Sequence, residues 1–220
     1  MPIKSKILKL GRPVRALSGE KIFAQDKLAN SIFYLSVGSI VTRFTSATGQ
    51  EAMIMDVASG QFVPVIVLLE GYTSYPIDGI AQTDCQLVTI EITKLRKLLS
   101  EDARISSFFL ALSLDRLQGT LQQFLDAALL SSSERIAKWL IDVAHDQNAK
   151  LIDGMAIQLD TSIRVVGLAT AGMARETISR QLTWLVSEGI IERSKKSVKV
   201  LDIVRLEALS AGTAMPRKHK

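Results

Sequence analysis

The sequence predicts an α+β protein with three parts: an N-terminal antiparallel β-roll of the jelly-roll kind, a long central helix, and a C-terminal winged helix-turn-helix. Three observations carry that expectation. Short apolar runs alternate with glycine-bearing turns over residues 13–92, an apolar stripe at heptad spacing follows, and a helix–turn–helix–hairpin order closes the chain.

The roll comes first. Residues 32–35, 40–44 and 87–90 are β-branched and aromatic runs, and the turn pairs Ser18–Gly19, Val37–Gly38, Thr48–Gly49 and Ser59–Gly60 punctuate the region. Glycine at roughly ten-residue intervals suits an antiparallel roll, because each hairpin needs a residue that tolerates positive φ.

Helical spacing then takes over. Ala103, Ser107, Leu110, Leu114, Leu117, Leu121, Phe124 and Ala128 alternate steps of four and three, with no proline between them. Phe108, Phe109 and Leu112 form a second apolar face. A helix with two apolar faces buries one on its own domain and the other on a partner. Leu110, Leu114, Leu117, Leu121 and Phe124 are therefore expected at a homodimer interface. Ser131 and Glu134 have capping-box spacing, which ends this helix and starts another over residues 135–145. The expected organisation is a sensor-like roll at 1–100, a dimerisation helix at 101–130 and a DNA-binding domain at 131–220.

From Leu159 onward the pattern reads as a short strand, two helices and a hairpin. Thr161 or Ser162 caps a first helix over 163–170, Gly172 lies in the turn, and the second helix runs Arg175–Ser187 until Gly189 ends it. Residues 190–193 and 198–201 form a hairpin whose tip, Ser194–Lys195–Lys196–Ser197, is basic. In the second helix Ile178, Leu182 and Leu185 mark the inward face. Arg175, Glu176, Ser179 and Arg180 then project outward from its first two turns, where a recognition helix meets base edges in the major groove. Arginine donates bidentately to guanine and glutamate accepts from cytosine. Thr177, Lys195, Lys196 and Lys199 are the expected phosphate contacts.

Composition narrows the function further. Residues 1–130 carry 13 basic and 12 acidic side chains, while residues 131–220 carry 14 and 10, so most of the net charge of +5 lies where a polyanion would be met. One cysteine, Cys85, excludes an intramolecular disulfide and an all-thiolate metal or iron–sulfur site within one chain; it reads as a small buried residue at a strand end. Of the two histidines, His145 reads as a solvated residue near a helix end and His219 lies in the terminal tail. No nucleophile–base constellation or phosphate-cradling glycine motif is present, so no enzyme, metal or cofactor is expected. No apolar run approaches the ~18 residues of a membrane span and no signal-peptide pattern is read at the N-terminus, so the expected location is the cytoplasm.

The run Arg175–Glu176–Thr177–Ile178–Ser179–Arg180, followed by Glu188–Gly189–Ile190–Ile191–Glu192–Arg193, resembles the C-terminal domain of the Crp/Fnr regulators. Upstream, Gly19–Glu20–Lys21–Ile22–Phe23, the stretch from Ser31 to Gly38, Gly49–Gln50–Glu51 and Gly60–Gln61–Phe62 resemble the cyclic-nucleotide-binding roll of that family. The resemblance spans about residues 13–208. It implies a sensor roll, a dimerisation helix, base contacts from Arg175, Glu176 and Arg180, and a base or phosphate contact from Ser179. Double-stranded DNA and RNA polymerase are the partners it implies.

The departures from the family pattern are concentrated in the roll. Asp26–Lys27 stands where the family carries Gly-Asp, Val63–Pro64 replaces a Gly-Glu pair, and Ile77–Asp78 follows Pro76 where cyclic AMP binders have Arg-Ser or Arg-Thr. The ribose acceptor and the phosphate-pairing arginine are absent, and Asp78 is expected to repel an anion, so the expected regulator does not respond to cyclic AMP. The alternative is a roll that senses another small-molecule or redox effector, with residues 63–69 lining an apolar pocket. A haem sensor is disfavoured because no histidine precedes His145. In the reader, Ala174 replaces the usual Ser or Thr and loses a helix cap.

Overall fold

The computed structural model describes residues 3–159, 173–194 and 197–212. Two compact units, Met1–Gln118 and Gly119–Lys220, divide the chain within its longest helix.

The first unit begins with a short helix, α1 (Ile3–Leu8), and continues as strands β1 (Arg12–Ala16), β2 (Lys21–Phe23), β3 (Ser31–Val37), β4 (Ser39–Thr45), β5 (Glu51–Ala58) and β6 (Phe62–Val63). A 3-10 turn at Val65–Leu68, strands β7 (Asp78–Ala81) and β8 (Cys85–Glu91), and helix α2 (Ile92–Glu101) follow. The strands form two antiparallel sheets, ordered β1-β8-β3-β6 and β2-β7-β4-β5. One core joins them: Ile32, Leu35, Phe62 and Ile90 come from the first sheet and Phe23, Ile40, Val57 and Ala81 from the second. The expected runs at 32–35, 40–44 and 87–90 are the middles of β3, β4 and β8.

The four turn glycines all have positive φ, as the hairpins require. At Gly38 space adds to that demand, since a Cβ there would sit 2.7 Å from the Asp84 carbonyl and 2.8 Å from the Cys85 sulfur. Asp26 takes the left-handed conformation itself (φ 63), which Asp tolerates better than most side chains, so the turn survives without the family's glycine. Cys85 is buried at the start of β8, and burial pushes its thiol pKa up, as expected for an inert packing residue.

Two helices of this unit escape the sequence reading. α1 is six residues long and buries only Ile7, too short to show a period. α2 follows β8 directly, with Ile92 and Leu95 in the core and no glycine or proline marking the change. At Asp102 the backbone turns extended, and the next helix, α3 (Ala103–Leu129), begins. The Asp102 carboxylate accepts from the Arg104 N–H and guanidinium and from Lys6, which hold its pKa well below the usual carboxylate range. α3 buries Ile105 and Phe109 in the first core, with Phe108 and Leu112 packed beside them, so the second apolar face serves its own domain.

The second unit holds α4 (Ser132–Asp146), β9 (Ala156–Gln158), α5 (Arg175–Ser187), β10 (Ile191–Arg193), β11 (Ser197–Val200) and α6 (Ile203–Ser210). The capping box forms: the Ser131 hydroxyl accepts from the Glu134 N–H and the Glu134 carboxylate accepts from the Ser131 N–H. Such a cap contributes about 1 kcal/mol. The strand expected from Leu159 lies slightly earlier, because pairing Ile157 with Val198 sends both side chains into the core. That core gathers Ile136 and Leu140 of α4, Ile178 and Leu182 of α5, and Leu206 and Leu209 of α6. The helix expected at 163–170, its cap at Thr161 or Ser162, and the Gly172 turn lie outside the described residues. So do Lys195, Lys196 and His219.

Candidate nucleic-acid interface

α5 occupies the span its sequence signals set. Ala174 is its N-cap and supplies no side-chain bond, which leaves the first-turn N–H groups without a side-chain cap. Glu188 is the C-cap, and Gly189 follows at φ 66. The Arg205 guanidinium, projecting from α6, donates to the Glu188 carbonyl at 2.9 Å and to its carboxylate at 3.0 Å. A cation therefore stands at the negative end of α5 and fixes that end against α6.

Ile178, Leu182 and Leu185 are 1 %, 3 % and 0 % exposed, so the inward face is fully committed to packing. Glu176 and Arg180 are exposed, Ser179 is half-buried, and these three line one shallow concavity together with Thr183. Among the described residues no ion pair ties Glu176 to Arg180. Thr177 is half-buried at the side of this face. Arg175 is the first residue of the helix, and its side chain is outside the described set. Lys199 is exposed on β11, directly across the ladder from Glu192. The hairpin tip is closed by the Ser194 N–H donating to the Ser197 carbonyl at 2.9 Å. The sequence reading missed Thr183, although its place four residues after Ser179 and seven after Glu176 puts it on the same stripe.

On α3, Leu110, Leu114, Leu117, Leu121 and Phe124 are all exposed, between 54 % and 68 %. Within α3 they follow one another at alternating steps of four and three, an apolar ridge on one side of the helix.

The segment of the roll expected to meet an effector is closed by the protein itself. The Val63–Pro64 peptide is cis, and Phe62, Val63, Val65 and Val67 are buried in the core, while Ile66 and Leu69 face outward. Valines 63, 65 and 67, expected to line an effector pocket, are therefore core residues instead. Two arginines hold this segment by its main chain. Arg116 of α3 donates to the Phe62 carbonyl, and Arg96 of α2 donates to the carbonyls of Val67 and Leu69, both at 3.1 Å. Burial pulls the Arg116 pKa down. Tyr75 is buried and its hydroxyl donates to the Ser31 carbonyl at 2.9 Å. Residues 62–77 contain no lysine or arginine, and the two guanidinium groups that reach the segment are bonded to carbonyl oxygens. These residues do not fit a cyclic phosphate.

Asp78 differs from its expected role. It lies on β7, in the sheet that does not contain β6, and its side chain is 4 % exposed. Lys21 at 2.9 Å, Arg43 at 3.1 Å and the Gln25 N–H at 2.9 Å neutralise it. It is a paired structural carboxylate rather than a free charge set to repel an anion. Arg43 is bound on its other side to Glu51 at 2.7 Å, so its guanidinium is held between two carboxylates.

Residues 13–102 match the family model of the cyclic nucleotide-binding domain, and residues 134–209 match that of the Crp-like helix-turn-helix domain. The chain belongs to the Crp/Fnr family of DNA-binding transcription regulators. Among relatives of this Crp/Fnr regulator, the cAMP-activated global transcriptional regulator CRP of Haemophilus influenzae is 27 % identical over 173 residues, which cover 78 % of this chain and 76 % of that protein. The transcriptional activator protein anr of Pseudomonas aeruginosa is 26 % identical over 210 residues, covering 94 % of this chain and 83 % of that one. The structure of FixK2 from Bradyrhizobium japonicum shares the fold, with a TM-score of 0.72 at 20 % identity over 93 % of this chain and 99 % of that chain. Among the described residues, no helix of this regulator is long and apolar enough to cross a membrane.

Proposed function

We propose that this regulator acts in the cytoplasm as a homodimer, joined along the α3 ridge, that lays two copies of α5 into successive major grooves of a two-fold symmetric DNA site. Arg175, Glu176, Ser179 and Arg180 address base edges, and Thr177, Lys195, Lys196 and Lys199 hold phosphates. RNA polymerase is the further partner. The observation that carries this reading is the sidedness of α5: its apolar face is fully buried while Glu176, Ser179 and Arg180 gather on the other side. Two-fold symmetry sets half-sites about 34 Å apart. Arg180→Ala is expected to lose about 1–3 kcal/mol on the preferred site and to relax the preference at one G·C pair. Titration against the selected site and against random DNA checks this; equal losses on both would reduce Arg180 to a phosphate contact.

The regulator works without cyclic AMP, although several of its relatives are named as cAMP-activated. A phosphate bound at residues 62–77 would need a charge-assisted arginine bond of a kind worth ~1.5–3 kcal/mol. The two nearby arginines already satisfy main-chain carbonyls, and withdrawing them would leave those carbonyls unpaired. Calorimetry with millimolar cyclic AMP is expected to show no saturable heat, and DNA affinity is expected to stay unchanged. Saturable binding with a tenfold gain in DNA affinity would overturn this part of the proposal.

A further inference from the structure

We infer that Thr183 reads the methyl group of a thymine in the major groove, further along the site than the bases met by Glu176 and Arg180. The inference rests on the reading of α5 as the recognition helix. Thr183 is exposed and lines the same concavity as Glu176, Ser179 and Arg180. At ~1.5 Å of rise per residue it lies about 10 Å beyond Glu176 along the helix axis.

The chemistry follows from one hydrogen bond. The Thr183 hydroxyl donates to the Ser179 carbonyl at 3.0 Å, one turn back along α5. A hydroxyl has a single proton. With that proton committed to the helix backbone, Thr183 has none to give to a phosphate oxygen, to guanine N7 or O6, or to thymine O4, all of which only accept. The same bond folds the oxygen down against the helix and turns the γ-methyl outward. A threonine methyl is an apolar partner for the C5-methyl of thymine.

The neighbouring side chains give this methyl access. Ser179 and Thr183 are short and sit one turn apart, flanked by the long side chains of Glu176 and Arg180. Short side chains at these two positions leave room for a base edge to come close to the helix there.

The test removes one methyl at a time. The preferred site is first selected from random duplexes with the full-length protein. Each thymine is then replaced singly by deoxyuridine, which lacks only the C5-methyl, and affinities are measured for the native protein, Thr183→Ser and Thr183→Val. The expected result is one thymine per half-site whose replacement weakens native binding about fourfold, the worth of one buried methyl-sized group. Thr183→Ser, which keeps the backbone bond and loses the methyl, shows that loss already on the thymine site and no further response to deoxyuridine. Thr183→Val retains the deoxyuridine response. A half-site in which no deoxyuridine weakens binding, or a Thr183→Ser variant as sensitive as the native protein, overturns the inference while leaving α5 as the reader. Failure to select any sequence would overturn both.

Discussion

Leu117→Glu is expected to make the protein a monomer at micromolar concentration and to abolish binding to the symmetric site. Leu117 is 63 % exposed at the middle of the α3 ridge, with Leu110 and Leu114 before it and Leu121 and Phe124 after it. Fully burying such a side chain is worth ~1.5–3 kcal/mol, so covering the exposed parts of five of them in each of two subunits gives on the order of 10 kcal/mol. That is comparable with the ~4–15 kcal/mol that association costs in lost translational and rotational freedom and side-chain ordering. The balance is therefore sensitive to a single change. A glutamate in place of Leu117 in both subunits would set two like charges in a desolvated seam, a penalty of several kcal/mol. The variant should still fold, because Ile105 and Phe109 on the opposite face of α3 carry its packing in the first core. Sedimentation at micromolar concentration, with circular dichroism as the check on folding, is the measurement. A folded Leu117→Glu variant that remains dimeric would move the seam elsewhere.

The elements legible in the sequence are those whose physics is local and periodic. α5 carries an apolar triad at helical spacing and a C′ glycine, and its observed bounds match those signals. The Ser131–Glu134 capping box is a reciprocal bond between near neighbours, so four residues of sequence suffice to read it. The α3 stripe is periodic over several turns. What stayed hidden depends on contacts distant in sequence or on main-chain acceptors. α2 arises because Ile92 and Leu95 complete the roll's core, yet nothing punctuates its start. Asp102 was a usable signal, an Asp immediately before a helical run, and it supplies the side-chain acceptor that starts α3. Arg96 and Arg116 clamp residues 62–69 through their carbonyls, and a carbonyl has no sequence signature. Asp78 was misplaced for the opposite reason. Its neighbours along the chain pointed to that segment, while its partners Lys21 and Arg43 arrive from strands 57 and 35 residues away.

Asp78→Ala is expected to destabilise the roll by about 2–3 kcal/mol near neutral pH, with a dependence on acid that identifies the cause. Removing one partner from a buried ion pair costs ~3–5 kcal/mol. The lower figure applies here because Lys21 is half-exposed and Arg43 keeps Glu51. Arg43 would nonetheless be left poorly satisfied, since its buried Nε already lacks a hydrogen-bond partner. Burial pushes the Asp78 pKa up, but the Gln25 N–H, Lys21 and Arg43 together outweigh that and leave it below the ordinary carboxylate value of 3.8. A carboxylate with a depressed folded-state pKa contributes stability above its unfolded pKa, and that contribution is lost as pH falls through the folded value. The stability gap between native protein and Asp78→Ala should therefore be constant from neutrality down to about pH 5 and begin to close near pH 4, as the unfolded chain takes up its proton. Asp78→Asn, which keeps the shape and an acceptor for the Gln25 N–H but removes the charge, should reproduce most of the loss and the same narrowing. Urea unfolding of the three proteins between pH 7 and pH 3.5 decides the matter. A gap that stays constant across that range would show that Asp78 acts through packing and hydrogen bonding, with no net contribution from its charge.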